Sequence, residues 1–159
     1  MSSFDDALEF RFKADTTWAD AHEDDKAAVT RLWNWIDSCK DDPAKFLAEY
    51  NQYFGNDSPF AWYLITDYFM AVDNRAKNMM LATWDSLIWY FLPYDMDTLF
   101  SVRNDSVLKY EYTITHESFD DSIGSYAFAG HDSVLWELVR SCPDKLREVA
   151  ETLRSNMSL

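Results

Sequence analysis

Apolar residues return every three or four positions near both ends of the chain and crowd into almost unbroken runs in its middle. From about Asp25, the positions Val29, Leu32, Trp33 and Ile36 follow helical spacing as far as Cys39, which predicts an amphipathic helix. Asp42 then offers a cap, Pro43 suits a first helical position, and Gly55 after Phe54 reads as a stop, so residues 25–54 form a predicted helical hairpin. Ser58-Pro59 repeats the start signal. The run 60–72 that follows is apolar almost all round, with Asp67 its only charge, as expected of a central helix. DNRAKN at 73–78 reads as a polar break or a wet turn. Met79–Leu92, with Asp85 in its middle and Pro93 at its end, completes a pair of central helices over about 59–92.

Beyond Pro93 the period shortens. Leu99–Val102 and Val107–Thr115, separated by a polar turn at 103–106, read as a β-hairpin, and Ser122–Ala129 offers a third strand, so a small antiparallel sheet is expected over about 98–129. Asp132 or Ser133 then caps a helix with Leu135, Leu138 and Val139 inward, and Pro143 opens the last one, giving a second helical hairpin over about 132–156. Residues 4–13 fit a half-buried strand or a helix behind Ser3, with helix favoured at the start. The expectation is a single globular domain over 1–159 of the α+β class, predominantly α, with helical hairpins around two central apolar helices.

LWNWIDSC at 32–39 returns as LWELVRSC at 135–142, and in each copy a proline and, two residues later, a lysine follow: Pro43 and Lys45, Pro143 and Lys145. Each copy places Leu-Trp on a helix, Ser-Cys in its last turn and proline at the start of the next helix, which describes one architectural unit used twice. Cys39 and Cys142 form no CxxC and have no histidine at ligand spacing, so buried thiols are expected in preference to a metal or redox pair.

Charge changes the functional picture more than the fold. Acidic residues outnumber basic ones 28 to 14, giving −14 and a pI near 4.4, while 48% of residues are hydrophobic and 17% aromatic. That much apolar material supports a real core and argues against disorder. The most apolar stretch, 79–92, falls short of the roughly 20 residues a membrane span needs, and MSSFDDALEF has neither the basic start nor the apolar run of a signal peptide. A reducing cytoplasm is the expected compartment.

Candidate chemistry is sparse. His116-Glu-Ser118 and His131-Asp-Ser133 resemble the paired H-x-[S/T] motifs of the 2H phosphoesterases, but only about 15 residues separate them, too few for that family's two lobes. An EF-hand starting at Asp95 meets Phe100 and Ser106 where glycine and glutamate are required, and the carboxylates at 119–122 are explained as turn acids. Phosphate-loop and dinucleotide signatures are missing. No catalytic residue, cofactor or metal is therefore expected, and direct binding to nucleic acid is disfavoured by like charge. What stands out are two unopposed acidic stretches, Asp15, Asp20, Glu23, Asp24 and Asp25, and then Glu111, Glu117, Asp120, Asp121, Asp132 and Glu137. In size, charge and aromatic content the chain resembles the small acidic DNA mimics of phages and mobile elements, such as anti-restriction and anti-CRISPR proteins, with no shared motif. That likeness implies a non-enzymatic inhibitor whose acidic face binds a basic nucleic-acid-handling protein, a nuclease or a CRISPR or restriction effector. An immunity protein against a nuclease toxin is the alternative, and a 2H-like phosphoesterase the weaker one.

Overall fold

The computed structural model describes residues 23–69, 71–75, 78–96, 99–101 and 134–157. They form five α-helices and one two-stranded antiparallel sheet: α1 (Glu23–Cys39), α2 (Pro43–Glu49), α3 (Ser58–Tyr68), β1 (Met79–Thr83), β2 (Trp89–Pro93), α4 (Val134–Arg140) and α5 (Pro143–Met157). The fold is α+β and mostly helical, as the patterning predicts. Helix α3 lies at the centre, packed on α4, α5 and β2, while α1 packs on α2 and α4.

The two helical hairpins form where proline and its caps direct. Asp42 accepts the Lys45 backbone N–H on its carboxylate (2.9 Å), and Pro43 opens α2. In the second copy Pro143 opens α5 directly after the buried Cys142. Leu32 and Leu135, Trp35 and Leu138, and Cys39 and Cys142 are buried at matching positions, so the repeat is architectural. Its tryptophans differ. Trp136 is 1% exposed and Trp33 is 56% exposed.

Four sequence expectations need correction. Residues 79–92 are a hairpin, with Leu81 paired to Phe91 and Thr83 to Trp89. Asp85, taken for a charge inside a helix, makes the turn: its Oδ1 accepts the N–H groups of Leu87 and Ile88 (2.9 and 2.8 Å) and the Thr83 hydroxyl (3.2 Å), and Ser86 turns through φ 61°. Those backbone donors hold the Asp85 carboxyl below its ordinary range. Secondly, Leu99–Ser101 is a 3₁₀ turn rather than a strand, with Phe100 at φ 59°; the rest of the strand region expected at 98–129 lies outside the described residues. Thirdly, the cap of α3 is Asp57 rather than Ser58. Asp57 sits in the left-handed region (φ 55°) and makes no side-chain cap bond. Finally, α2 ends at Glu49 and a 3₁₀ turn, Tyr50–Gln52, carries the chain on, so Gly55 does not terminate a helix.

Gly55 serves a close approach instead. Residues 53–55 run beside β2, with Trp89 N–H donating to the Tyr53 carbonyl (2.7 Å) and Gly55 N–H to the Trp89 carbonyl (3.1 Å). A Cβ on Gly55 would lie 2.3 Å from the Tyr90 ring. Gly55→Ala is therefore expected to displace Tyr90 and to cost about 1–3 kcal/mol, the range for overpacking, read as a lower urea midpoint with an unchanged slope.

The core is a chain of rings. Phe91 stacks with Phe54 (5.7 Å) and Trp62 (5.8 Å) and lies tilted against Trp136 (5.4 Å), joining the hairpin to α3 and α4. Trp35 stacks on Tyr53 (4.1 Å) and donates its indole N–H to Glu49 (3.0 Å).

Candidate functional site

The polar segment after α3 folds inward. Asn74, Arg75 and Asn78 are all buried, Arg75 to 2% exposure, so a stretch expected to be a polar break or a wet turn sets three polar side chains inside the protein. Burial demands partners for such groups, and α3 supplies them. Arg75 donates Nε–H to the Thr66 hydroxyl (2.9 Å) and Nη2–H to the Tyr63 carbonyl (2.8 Å), its guanidinium lying 3.8 Å from the Tyr63 ring centroid. Nη2 also meets Asp67 Oδ1 at 3.1 Å, and Asp67 is 52% exposed. The Thr66 hydroxyl bonds back to the Trp62 carbonyl (2.7 Å), which fixes it as an acceptor for arginine. The indoles of Trp62 and Trp136 donate to the carbonyls of Asn74 (2.9 Å) and Arg75 (2.8 Å), so α3 and α4 grip the same turn. Asn74 Nδ2 reaches the carbonyls of Asn78 (3.3 Å) and Tyr94 (2.9 Å), and Asn78 Nδ2 that of Asp95 (3.1 Å). Asn74 Oδ1 is buried without a hydrogen-bond partner among the described residues.

A second polar group joins the two hairpins to the start of α3. Lys145 lies 3.2 Å from Asp57 and 2.8 Å from Glu148, and the Tyr50 hydroxyl donates to Asp57 Oδ1. The carboxylate that leaves α3 uncapped is thus shared between a phenol and an ammonium. In the first copy of the repeat Lys45 bonds instead to Ser38 (2.8 Å). Burial opposes the charge on Lys145, but its hydrogen bonds to Glu148, Asp57 and Tyr50 outweigh that and raise its pKa above an ordinary lysine. Burial, then the bond to Asp57, raises that of Tyr50. Both groups hold their protons more tightly folded than unfolded. The stability they contribute is therefore complete below their unfolded values near 10 and is lost as pH rises past them. Urea midpoints are expected to stay level up to about pH 9.5 and fall above it, with a shallower alkaline fall in Tyr50→Phe. Equal alkaline slopes in the two proteins would remove Tyr50 from this account.

Of the acids expected to form a binding face, four lie among the described residues. Glu23, Asp24 and Asp25 lie in the first turn of α1, and Glu137 is exposed on α4. Asp15, Asp20, Glu111, Glu117, Asp120, Asp121 and Asp132 lie outside the described residues, as do His116 and His131. Of the calcium candidates, Asp95 is exposed at φ 47°, and no group of three or more His, Cys, Asp or Glu side chains that could hold a metal occurs among the described residues. Cys39 and Cys142 are unpaired and buried, and burial raises both thiols above their ordinary pKa. Their low thiolate content makes them packing residues. Sequence reasoning missed the Arg75 centre because its acceptors are main-chain atoms and a threonine on another element. The one available signal was a lone arginine between asparagines, set between two apolar runs.

No helix among the described residues is long and apolar enough to cross a membrane. No curated protein and no solved structure matches the chain. The family model described as CotH kinase protein matches residues 2–140. The matched region takes in α1 to α4, with the Arg75 centre and the hairpin, and stops before α5. This finding overturns the expectation of a non-enzymatic inhibitor, whether DNA mimic, anti-CRISPR, anti-restriction or immunity protein, since the matching family is one of kinases. The expectation failed because the charge balance was read as a surface for a basic protein, and no phosphate-binding signature stood against it. With most of its length covered by that match, the chain belongs to the CotH kinase protein family.

Proposed function

We propose that this protein carries out kinase-type phosphoryl transfer, moving the terminal phosphoryl group of a nucleoside triphosphate to an acceptor hydroxyl. In that reaction the bond from the γ-phosphorus to its bridging oxygen breaks, a bond to the acceptor oxygen forms, and the hydroxyl proton is released. The observation that carries the reading is the family match over residues 2–140. The charge of −14 sets a physical condition on it. A bare triphosphate is repelled at long range, so the substrate must arrive as its complex with a divalent cation, which bridges phosphate and protein carboxylates. Phosphoryl transfer is mostly positioning and charge stabilisation, and the interlocked ring core and the sealed Arg75 centre offer a stiff frame for both. The unpaired Cys39 and Cys142 and the need for a nucleoside triphosphate fit a cytoplasmic setting.

The test is transfer of labelled γ-phosphate from ATP, by the full chain, to itself and to a panel of hydroxyl-bearing proteins, with Mg²⁺ or Mn²⁺ present or chelated. Metal-dependent transfer is expected. Nucleotide affinity should hold or improve as salt rises from about 10 to 150 mM, because screening within roughly 8–10 Å weakens repulsion between like charges. Neither transfer nor nucleotide binding with either metal would sink the reading.

A further inference from the structure

We infer that the outer edge of β1 is a self-association surface, where a second copy of this chain adds its own β1 antiparallel about a twofold axis. The inference goes beyond the kinase reading and does not depend on it.

The sheet has one open edge among the described residues. β1 pairs with β2 alone, while the far side of β2 is engaged at its start, where Trp89 exchanges backbone bonds with Tyr53 and Gly55 (2.7 and 3.1 Å). An antiparallel ladder leaves alternate N–H and C=O groups of an edge strand pointing away from its partner, a template for another strand. Such edges are commonly blunted by a lysine, a proline or a bulge. β1 has none of these. Its residues, Met79–Thr83, are uncharged and half-buried, and they pair one for one with Trp89–Pro93.

Charge decides what meets this edge. The chain carries −14, so a second copy is repelled at long range and is tolerated only where charge is thin. The hairpin is that place. From Asn78 to Tyr94 the one formally charged residue is Asp85, and Arg31 reaches the same turn, donating Nη1–H to the Leu87 carbonyl (2.9 Å).

The strand is also self-complementary. With the twofold axis at Leu81, that residue meets its own copy, Met79 lies across from Thr83 and Met80 from Ala82, so no like charges are opposed. Met79 and Leu81 pack towards the core on the face of Trp89 and Phe91, which leaves Met80 and Ala82 on the outer face, along the seam of a four-stranded sheet. Trp84 follows β1 directly and in this register comes beside the start of the second copy's β1. It is 80% exposed and braced edge-on by Tyr90 (5.6 Å, 78°), an anchor at each end of the seam.

The experiment is sedimentation of the full chain at about 2 and 200 µM, since self-association follows mass action. A dimer is expected at the higher concentration, with a Kd that falls roughly tenfold as salt rises from about 10 to 150 mM and screens the repulsion between copies. Met80→Lys, which sets an ammonium on both sides of the seam, should raise the Kd at least about tenfold. Leu47→Lys, the same kind of exchange at an exposed site on α2, should not raise it. Both variants lower the net negative charge alike, so a weaker dimer in the first alone locates the contact. Amide hydrogen exchange on the wild type needs no variant: protection across Met79–Thr83 should rise with concentration. If Met80→Lys fails to fold, exchange decides. A dimer that folded Met80→Lys leaves unchanged, or whose protection at Met79–Thr83 does not vary with concentration, overturns the inference. So does a chain that stays monomeric throughout, whose edge is then left for another part of the chain or a different protein.

Discussion

Trp136→Ala is expected to destabilise the protein by about 3–5 kcal/mol, while Trp33→Ala, at the matching position of the repeat, changes stability by no more than about 0.5 kcal/mol. The contrast follows from burial: Trp136 is sealed and Trp33 is mostly in water. Truncating Trp136 empties a space beside Phe91 and Tyr63, whose ring centroids lie 5.4 and 6.2 Å away. It also strips the Arg75 carbonyl of its indole donor, the loss of a buried hydrogen bond that adds a further cost of about 1–3 kcal/mol where no water enters. Urea denaturation of the two variants, at equal slope, checks the difference. Similar losses in both would mean that the two copies carry their tryptophans alike, against the described packing.

Arg75→Ala is expected to cost about 2–5 kcal/mol, because it opens a space in the core and takes a donor from the buried Thr66 hydroxyl and the Tyr63 carbonyl. Its guanidinium bonds Thr66, Tyr63 and Asp67 together, and the whole side chain is buried. Arg75→Met should cost less than half as much. Methionine restores most of the volume, and the desolvation of a buried cation is removed along with its bonds. Should Met prove as damaging as Ala, the centre is held by charge and hydrogen bonding, with little contribution from packing.

The parts of the fold legible in the sequence are those whose signals are local. Asp42 with Pro43, and Pro143 after Cys142, mark helix starts within a few residues, and the helical hairpins lie where they point. The hairpin at 79–93 was not legible because a run apolar on every face carries neither the helical nor the strand period. In β2 the alternation is plain only in the structure, with Trp89 and Phe91 buried between less buried neighbours. Asp85 was the missed clue, since a carboxylate in an apolar run can bind backbone N–H groups and turn the chain. The centre at Asn74, Arg75 and Asn78 was misread because polar residues were assigned to water by type. Their burial is decided by Tyr63, Thr66, Tyr94 and Trp136, which come from both sides in the sequence and from as far as 61 positions away. None of the phosphate-loop or dinucleotide signatures sought in the sequence marked the chain as a kinase. The acids that drew attention instead lie mostly outside the described residues, and only the comparison over 2–140 redirected the reading.

The position of Trp136 bears on how the protein is made. Phe91, Tyr63 and the Arg75 turn are sealed by a helix that follows them in the chain by more than forty residues. While the ribosome is still adding those residues, the nascent chain presents a ring-rich surface and a turn whose Arg75 carbonyl still awaits its indole donor. The α4–α5 hairpin closes them only after it emerges, so completion of the core waits on contacts far apart in sequence, which are slow to form. Mutations that weaken α4 should therefore lower the yield of soluble protein during synthesis by more than they lower the stability of molecules that have already folded.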